Sequence, residues 1–73
     1  MELIKILDRL KIELNDTVVI YDQNITSPLY LGYVGNVTFE YLRRTVKTIE
    51  FQAGSDTYKG EELFYMFKIT LKS

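Results

Sequence analysis

The 73-residue chain contains no cysteine, no histidine and no tryptophan. Without cysteine it has no disulfide framework, which small secreted domains commonly need, so we expect a reducing compartment and a cytoplasmic protein. Without histidine and cysteine, the usual nucleophile and base pairs, thiolate chemistry and histidine-based zinc sites are excluded. We therefore predict a protein that is not an enzyme and that needs no cofactor and no metal.

A surplus of charge of one sign is also missing. Nine basic and ten acidic residues give a net charge of −1, which provides no general attraction for a polyanion such as duplex DNA. Near the start of the chain, Glu2, Lys5, Asp8 and Arg9 interrupt the apolar residues. This pattern is typical of neither a signal peptide nor a membrane-spanning helix, so we expect no membrane partner.

The residues that are present indicate a single folded domain covering 1–73. Hydrophobic residues make up 47% of the sequence and charged residues 26%, which is the composition of an ordinary globular protein. A chain of this length can hold one hydrophobic core and no second domain. Leu3, Leu7, Leu10 and Leu14 recur at helical spacing, and they predict a helix of about three turns with one apolar stripe.

Segments rich in β-branched and aromatic residues predict strands at 17–22, 29–34, 45–52 and 63–71. Apolar residues change parity midway through the third of these segments, which predicts a bend or bulge there. A single helical turn is expected at 39–42, between the second and third strands.

Glycine and turn residues mark the expected interruptions. Gly32 lies inside the second strand, where glycine usually means a bulge or a close backbone approach. Residues 53–56 give the strongest turn signal, and 57–62 is expected to form a loop or a ragged hairpin. Together the elements predict an α+β fold, in which an N-terminal helix packs on a bent antiparallel sheet or small open barrel of about four strands in meander order.

The most suggestive local feature is a cationic segment beside a tyrosine, formed by Tyr41, Arg43, Arg44 and Lys47. Aromatic and basic side chains together can stack a nucleic-acid base and hold its phosphate. The same residue types are enriched in protein-binding hot spots. A third interpretation is a solvated face with the Tyr41 ring in the core.

Six tyrosines are many for so small a surface. They cannot all be buried with partners for their hydroxyls, so some are expected to be exposed and available for contacts. The expected partner-binding residues combine these tyrosines with the cationic segment: Tyr30, Tyr33, Tyr41, Arg43, Arg44 and Lys47.

The last predicted strand is apolar on both faces, because Phe64 and Met66 alternate with other hydrophobic residues. The leucine stripe of the helix can cover one face, and little apolar material remains for the other. Phe64 and Met66 would be covered either by closure of the sheet on itself or by a twofold contact between two copies. We favour the homodimer.

Three segments and their order resemble small accessory proteins encoded by phages and mobile elements of Gram-positive bacteria. After the helix these are residues 15–22 (NDTVVIYD), 31–34 (LGYV) and 41–46 (YLRRTV), followed by a terminal apolar strand. The resemblance implies a one-domain protein that binds and modulates a host or phage protein, in the group that includes anti-CRISPR and other anti-defence inhibitors, and it implies no catalytic residues. We therefore expect a protein-binding module, with a small β-barrel that binds single-stranded nucleic acid as the alternative.

Overall fold

Two helices and six strands follow one another in the computed structural model, which describes residues 1–73. The predicted α+β class is confirmed, with a short N-terminal helix and β-structure over much of the remaining chain. No helix has the length and apolar character needed to cross a membrane. The elements in chain order are α1 (Leu3–Arg9), β1 (Thr17–Asp22), β2 (Tyr30–Tyr33), a 3-10 turn (Val34–Asn36), α2 (Phe39–Leu42), β3 (Val46–Glu50), β4 (Gly54–Tyr58), β5 (Glu61–Tyr65) and β6 (Phe67–Leu71).

The strands form a four-stranded sheet in the order β2-β1-β6-β3 and a separate two-stranded hairpin, β4-β5. Strand β1 pairs antiparallel with β2 and parallel with β6, so that Ile20 lies opposite Tyr30 on one side and Ile69 on the other. The sheet is therefore mixed, whereas the meander order predicted antiparallel pairing throughout. Strand β6 takes a central position because its Ile69 and Leu71 are fully apolar and become completely buried there.

The hydrophobic core lies between α1 and one face of the four-stranded sheet. Alternation along β1 places Val18 and Ile20 on this face, where Leu3 of the helix is fully buried against the sheet. The complete cluster of buried side chains is Leu3, Leu7, Val18, Ile20, Val34, Val37, Ile69 and Leu71.

The hairpin covers part of the opposite face. Val19 and Leu31 are buried but do not belong to the core cluster, and alternation along β1 and β2 directs them away from it. Strand β5 lies beside β1 and β2, and Tyr21, which shares the face of Val19, donates a hydrogen bond from its hydroxyl to the Asp56 carboxylate of β4. The four-stranded sheet is therefore covered by α1 on one face and by the hairpin on part of the other.

The N-terminal helix is shorter than its leucine spacing predicts. It ends at Arg9, whereas the leucine spacing predicted helix as far as residue 14. Leu14 has a side chain that is 73% exposed, and Leu10 is also exposed. The predicted stripe of four leucines is thus wrong in its second half, and only Leu3 and Leu7 are buried in the core.

The chain leaves the helix through a Schellman motif. Lys11 adopts a left-handed backbone with φ of 55°, its N–H donates to the Asp8 carbonyl, and the Ile12 N–H donates to the Leu7 carbonyl. These two bonds satisfy carbonyls that the end of a helix leaves free. Glycine is the usual residue at the left-handed position, so lysine there provides no sequence signal for the end of the helix.

Predictions of local structure in the second half of the chain are partly correct. The helical turn expected at 39–42 is confirmed as α2, and the bulge expected in the third strand is confirmed as a register shift between Val46 and Thr48. Residues 54–56 of the turn predicted at 53–56 lie instead in β4. The chain reverses at Lys59 and Gly60, whose φ angles are 53° and 81°, within the segment 57–62 for which a loop or a ragged hairpin was predicted. The predicted strand 63–71 bends at Met66, which separates β5 from β6.

Candidate functional site

An apolar groove of about 280 Å³ opens to solvent between α1, the segment that follows it, the 3-10 turn and α2. Seven of its nine lining residues are hydrophobic. The Schellman motif creates this groove, because it reverses the chain after α1 and brings Ile12 and Leu14 back beside the helix. The lining residues are Ile4, Leu7, Asp8, Ile12, Leu14, Val34, Gly35, Val37 and Leu42.

Backbone hydrogen bonds hold the 3-10 turn against the returning segment. The Gly35 N–H donates to the Leu14 carbonyl over 2.8 Å, and the Val34 N–H donates to the Asp16 carbonyl over the same distance. A Cβ at Gly35 would lie 3.2 Å from the Leu14 carbonyl oxygen, so the absence of a side chain permits this close approach. The backbone at Leu14 is thereby held beside the 3-10 turn, and the Leu14 side chain lines the groove.

Tyr33 lies next to the groove on the side of the sheet. Its side chain is 56% exposed, and it lines a shallow depression together with Leu14, Asn15, Gly35 and Asn36. Because Leu14 and Gly35 also line the groove, the two concavities are adjacent. The predicted contact residue Tyr33 therefore borders the groove.

The other border of the groove belongs to α2. Leu42 lines the groove, and Phe39 is its neighbour on the helix surface three residues earlier. Arg43 follows Leu42 as the C-cap residue of the helix. Phe39 is 64% exposed, and the guanidinium carbon of Arg43 lies 5.7 Å from the centroid of its ring. Arg43, another predicted contact residue, is exposed and is positioned by this cation–π contact.

The structure separates the remaining members of the predicted cationic segment. The Arg44 guanidinium donates to the Asp22 carboxylate and to the Lys72 carbonyl, both over 2.6 Å, so Arg44 joins the ends of β1 and β6. Tyr41 is half-buried against the core, and Lys47 is exposed on β3. Arg43 and Lys47 therefore keep accessible charges, while Arg44 stabilises the fold.

The Arg44 ion pair also determines the acidity of its partner. The hydrogen bond from the guanidinium, together with bonds from the Asn24 N–H and the Ser73 hydroxyl, lowers the pKa of Asp22 to about 2. Asp22 is thus ionised throughout the neutral range. Through Arg44, the Asp22 carboxylate stabilises the contact between the ends of β1 and β6. It is not suited to be a general base, because a general base needs a pKa near the working pH.

Tyr30, another predicted contact residue, packs within the fold and is only partly accessible to a partner. Its ring is half-buried and meets Tyr58 edge to face, with the ring centroids 6.0 Å apart, and its hydroxyl donates to the Tyr33 carbonyl. The hydroxyl lies over Gly32, where a Cβ would come within 2.7 Å of it. Gly32 pairs with Val18 in regular register and its neighbour is a tyrosine side chain, so the bulge or close backbone approach expected at Gly32 is wrong.

A polar depression lies between β1, β6 and the loop that follows β1, and Tyr21 and Lys68 line it. Burial, followed by the hydrogen bond to Asp56, raises the pKa of the Tyr21 hydroxyl, and the same bond lowers the pKa of Asp56. The Lys68 ammonium lies 5.4 Å from the centroid of the Tyr21 ring. These groups satisfy one another, and their arrangement holds the hairpin on the sheet.

Phe64 and Met66, the predicted dimer contacts, are both exposed. Phe64 is 73% exposed on β5, and Met66 is 56% exposed at the bend before β6. Neither side chain enters the core, and the sheet does not close over them.

Tyr33 and Arg43, which the sequence predicts as contact residues, lie next to residues that line the groove, and their role in binding stays a prediction. The groove itself was not predicted from the sequence. Its exposed wall consists of Ile4 and Leu14, and Leu14 had been assigned to the helical stripe. The available signal was the excess of large apolar residues in 3–14 over what one helix face can bury.

No protein-family model matches the chain, no curated protein sequence matches it, and no solved structure matches it. The geometry of the surface is therefore the basis for assigning a function.

Proposed function

We propose that this chain is a non-catalytic protein-binding module that acts in the cytoplasm as an inhibitor of a host protein, such as a CRISPR or other defence effector. The observation that supports the proposal is the apolar groove bordered by Tyr33 on one side and by Phe39 and Arg43 on the other. Exposed aromatic and arginine side chains around a concave apolar centre are the composition of a binding hot spot.

The open shape of the groove favours a protein over a small molecule. Sites for drug-sized ligands or cofactors enclose most of the ligand surface, whereas this groove is open to solvent. It has room for one or two large side chains of a partner. The surrounding surface, including Tyr33 and Phe39, would then contact the backbone and neighbouring side chains of the same partner segment.

The charges at the groove specify the partner segment further. Asp8 is the one charged residue in the lining, and Arg43 follows Leu42 directly after the end of α2. The complementary segment therefore presents a large aliphatic or aromatic side chain, with a basic residue toward Asp8 and an acidic residue toward Arg43.

The choice of a host defence protein as partner rests on the resemblance to phage and mobile-element accessory proteins. The absence of histidine and cysteine supports a non-catalytic mode of action. Single-stranded nucleic-acid binding has less support, because Arg44 is held in an ion pair and Tyr41 is half-buried.

The test combines capture with a loss-of-contact variant. Tagged wild-type protein, Leu14→Glu and Tyr33→Ala are used to capture partners from a Gram-positive host lysate, and the bound material is identified by mass spectrometry. Ile25→Glu is the matched control, because Ile25 is a similarly exposed hydrophobic residue in a loop that does not line the groove. We expect one protein to be captured in stoichiometric amounts by the wild type and the control, and at least ten-fold less by the groove variants.

Inhibition is tested in cells that carry an active CRISPR system or another defence system. Expression of the wild type and of Ile25→Glu should restore plaque formation by a targeted phage, whereas Leu14→Glu should not. Recovery of nucleic acid without a stoichiometric protein, or equal capture by the groove variants and the control, would contradict the proposal.

A further inference from the structure

The hairpin β4-β5 has an outer face that nothing in the chain covers. Ser55 lies opposite Phe64, and Thr57 lies opposite Glu62, so these four side chains share one face. All four residues are exposed, whereas Asp56, on the other face, bonds to the Tyr21 hydroxyl of the sheet. The Phe64 side chain therefore lies on the outside of the hairpin, next to the small polar residues Ser55 and Thr57, and is exposed to solvent.

Closure of the fold does not provide a cover for Phe64. The four-stranded sheet and the hairpin are separate sheets, and the bend at Met66 directs the inner face of the hairpin, with Leu63 and Tyr65, toward β1 and β2. The outer face consequently points away from the rest of the chain. The sheet therefore does not close over Phe64 and Met66, which stay exposed, and self-association is the other of the two ways to cover them that the sequence indicates.

We propose that the outer face of the hairpin is a homodimer interface, in which Phe64 lies near a twofold axis and Met66 lies at its margin. This surface is distinct from the apolar groove, so the proposal does not depend on the function proposed above. In a twofold contact the same surface patch of both copies meets at the axis. Because Phe64 is uncharged, a patch centred on it brings no two like charges together there.

The charges on the hairpin favour an antiparallel arrangement of the two copies. Glu62 is the charged residue of the outer face, two residues from Phe64 toward the tip. At about 3.4 Å per residue, antiparallel alignment around Phe64 places the two Glu62 residues about 14 Å apart, which exceeds the Debye length of about 8 Å at physiological salt. A parallel alignment would bring the two carboxylates together.

The area of the patch fits a weak dimer. With about 200 Å² for a fully exposed large side chain, Phe64 and Met66 present roughly 250 Å², or roughly 500 Å² from two copies. A small specific interface buries about 1,200 Å², of which somewhat more than half is apolar. The two residues thus supply most of the apolar area, and we expect a dissociation constant on the order of 10–100 µM.

Sedimentation equilibrium of the full chain between about 5 and 500 µM tests the proposal. We expect the wild type to show a concentration-dependent monomer–dimer equilibrium and Phe64→Glu to raise the dissociation constant at least ten-fold. Phe39→Glu is the matched control, because Phe39 is similarly exposed but lies on α2. Circular dichroism should show that both variants keep the wild-type fold, since neither side chain is part of the core.

Cross-linking provides a second, independent measurement. The chain has no cysteine, so Ser55→Cys introduces a single thiol next to Phe64, and Lys5→Cys introduces one on the exposed side of α1. Under mild oxidation, we expect Ser55→Cys to form disulfide-linked dimers several-fold faster than Lys5→Cys. A wild type that remains monomeric at 500 µM, equal effects of Phe64→Glu and Phe39→Glu, or equal cross-linking rates would overturn the proposal.

Discussion

The two faces of the central sheet are covered in different ways. On one face, α1 and the sheet enclose Leu3, Ile20 and Ile69, all of which are completely buried. On the other face, the hairpin covers Val19 and Leu31, yet none of the hairpin residues 54–65 is itself buried. The first layer is a hydrophobic core, and the second is a thin cover.

This difference indicates where the stability of the fold resides. Buried apolar area is the main favourable contribution to folding, and the cluster between α1 and the sheet contains eight buried side chains. Two identified hydrogen bonds attach the hairpin region to the sheet: one from the Tyr21 hydroxyl to Asp56 and one from the Met66 N–H to the Thr17 carbonyl. We therefore expect the hairpin to open locally at a lower free energy than the core.

The largest expected effect comes from a cavity on the helix-covered face. Ile69 is completely buried and lies opposite Ile20 in the parallel pair. Ile69→Ala should lower the free energy of unfolding by about 3 kcal/mol, because it removes buried methylene and methyl groups and leaves a cavity. Chemical denaturation followed by circular dichroism measures this change.

Phe64→Ala is the control for this comparison, measured at a concentration where the chain is monomeric. The substitution also removes a large apolar side chain, but from the exposed face of the hairpin, so the free energy of unfolding should change by less than about 0.5 kcal/mol. Equal losses in the two variants would mean that the hairpin contributes as much to stability as the core does.

The elements of the fold also differ in how well the sequence predicts them. Strand β1 was predicted at 17–22 and α2 at 39–42, and both have these bounds. Local sequence signals predicted both elements. The β-branched residues of β1 favour a strand, and the polar residue before α2 favours the start of a helical turn, and both effects extend over only a few residues. The bulge in β3 was visible for the same reason, as a change of parity among its apolar residues.

The errors concern features that local signals do not determine. The end of α1 depends on backbone hydrogen bonds to a left-handed Lys11, where glycine would have been the signal. The parallel pairing of β1 with β6 joins segments almost 50 residues apart, so no short window contains it. The groove follows from the end of α1, which returns residues 12–14 beside the helix, and this explains why Tyr33 and Arg43 were named from the sequence but the apolar centre of the groove was not.

Acid should weaken the four-stranded sheet through Asp22. The Arg44 guanidinium and two further donors lower the pKa of Asp22 from 3.8 to about 2. Because the folded-state value is the lower one, this carboxylate contributes its full stabilisation above about pH 4, and the contribution is lost as the pH falls toward 2. The melting temperature of the wild type should therefore decrease between pH 4 and pH 2.

Asp22→Asn isolates this contribution, because the variant cannot titrate at this position. Its melting temperature at pH 6 should be lower than that of the wild type, and the two should converge toward pH 2. Thermal melts across this range measure the difference. If the wild-type and Asp22→Asn curves remain parallel from pH 6 to pH 2, the Arg44 ion pair is not the source of the acid sensitivity.

A smaller and more local effect is expected from the hydrogen bond that holds the hairpin. Tyr21→Phe keeps the aromatic ring but removes the hydroxyl that donates to Asp56. Backbone amides of β4 and β5 should then exchange with deuterium several-fold faster, while amides of β6 beside β1 should keep their protection. Tyr33→Phe, which removes a hydroxyl far from this bond, should leave both groups of amides unchanged, and uniform acceleration in Tyr21→Phe would show that the hairpin and the core open together.

The smallest effect concerns the turn of the hairpin, where the sequence can be improved. Lys59 and Gly60 both have positive φ angles, 53° and 81°, which is the geometry of a two-residue type I′ turn. Asparagine tolerates this conformation better than lysine and is the preferred residue before glycine in such turns. Lys59→Asn should therefore stabilise the hairpin by about 0.5 kcal/mol, which would appear as slower exchange of the amides of β4 and β5. Because local opening of the hairpin leaves the core intact, the midpoint of chemical denaturation should change little, whereas an equal gain in global stability would show that the turn folds in one cooperative unit with the core.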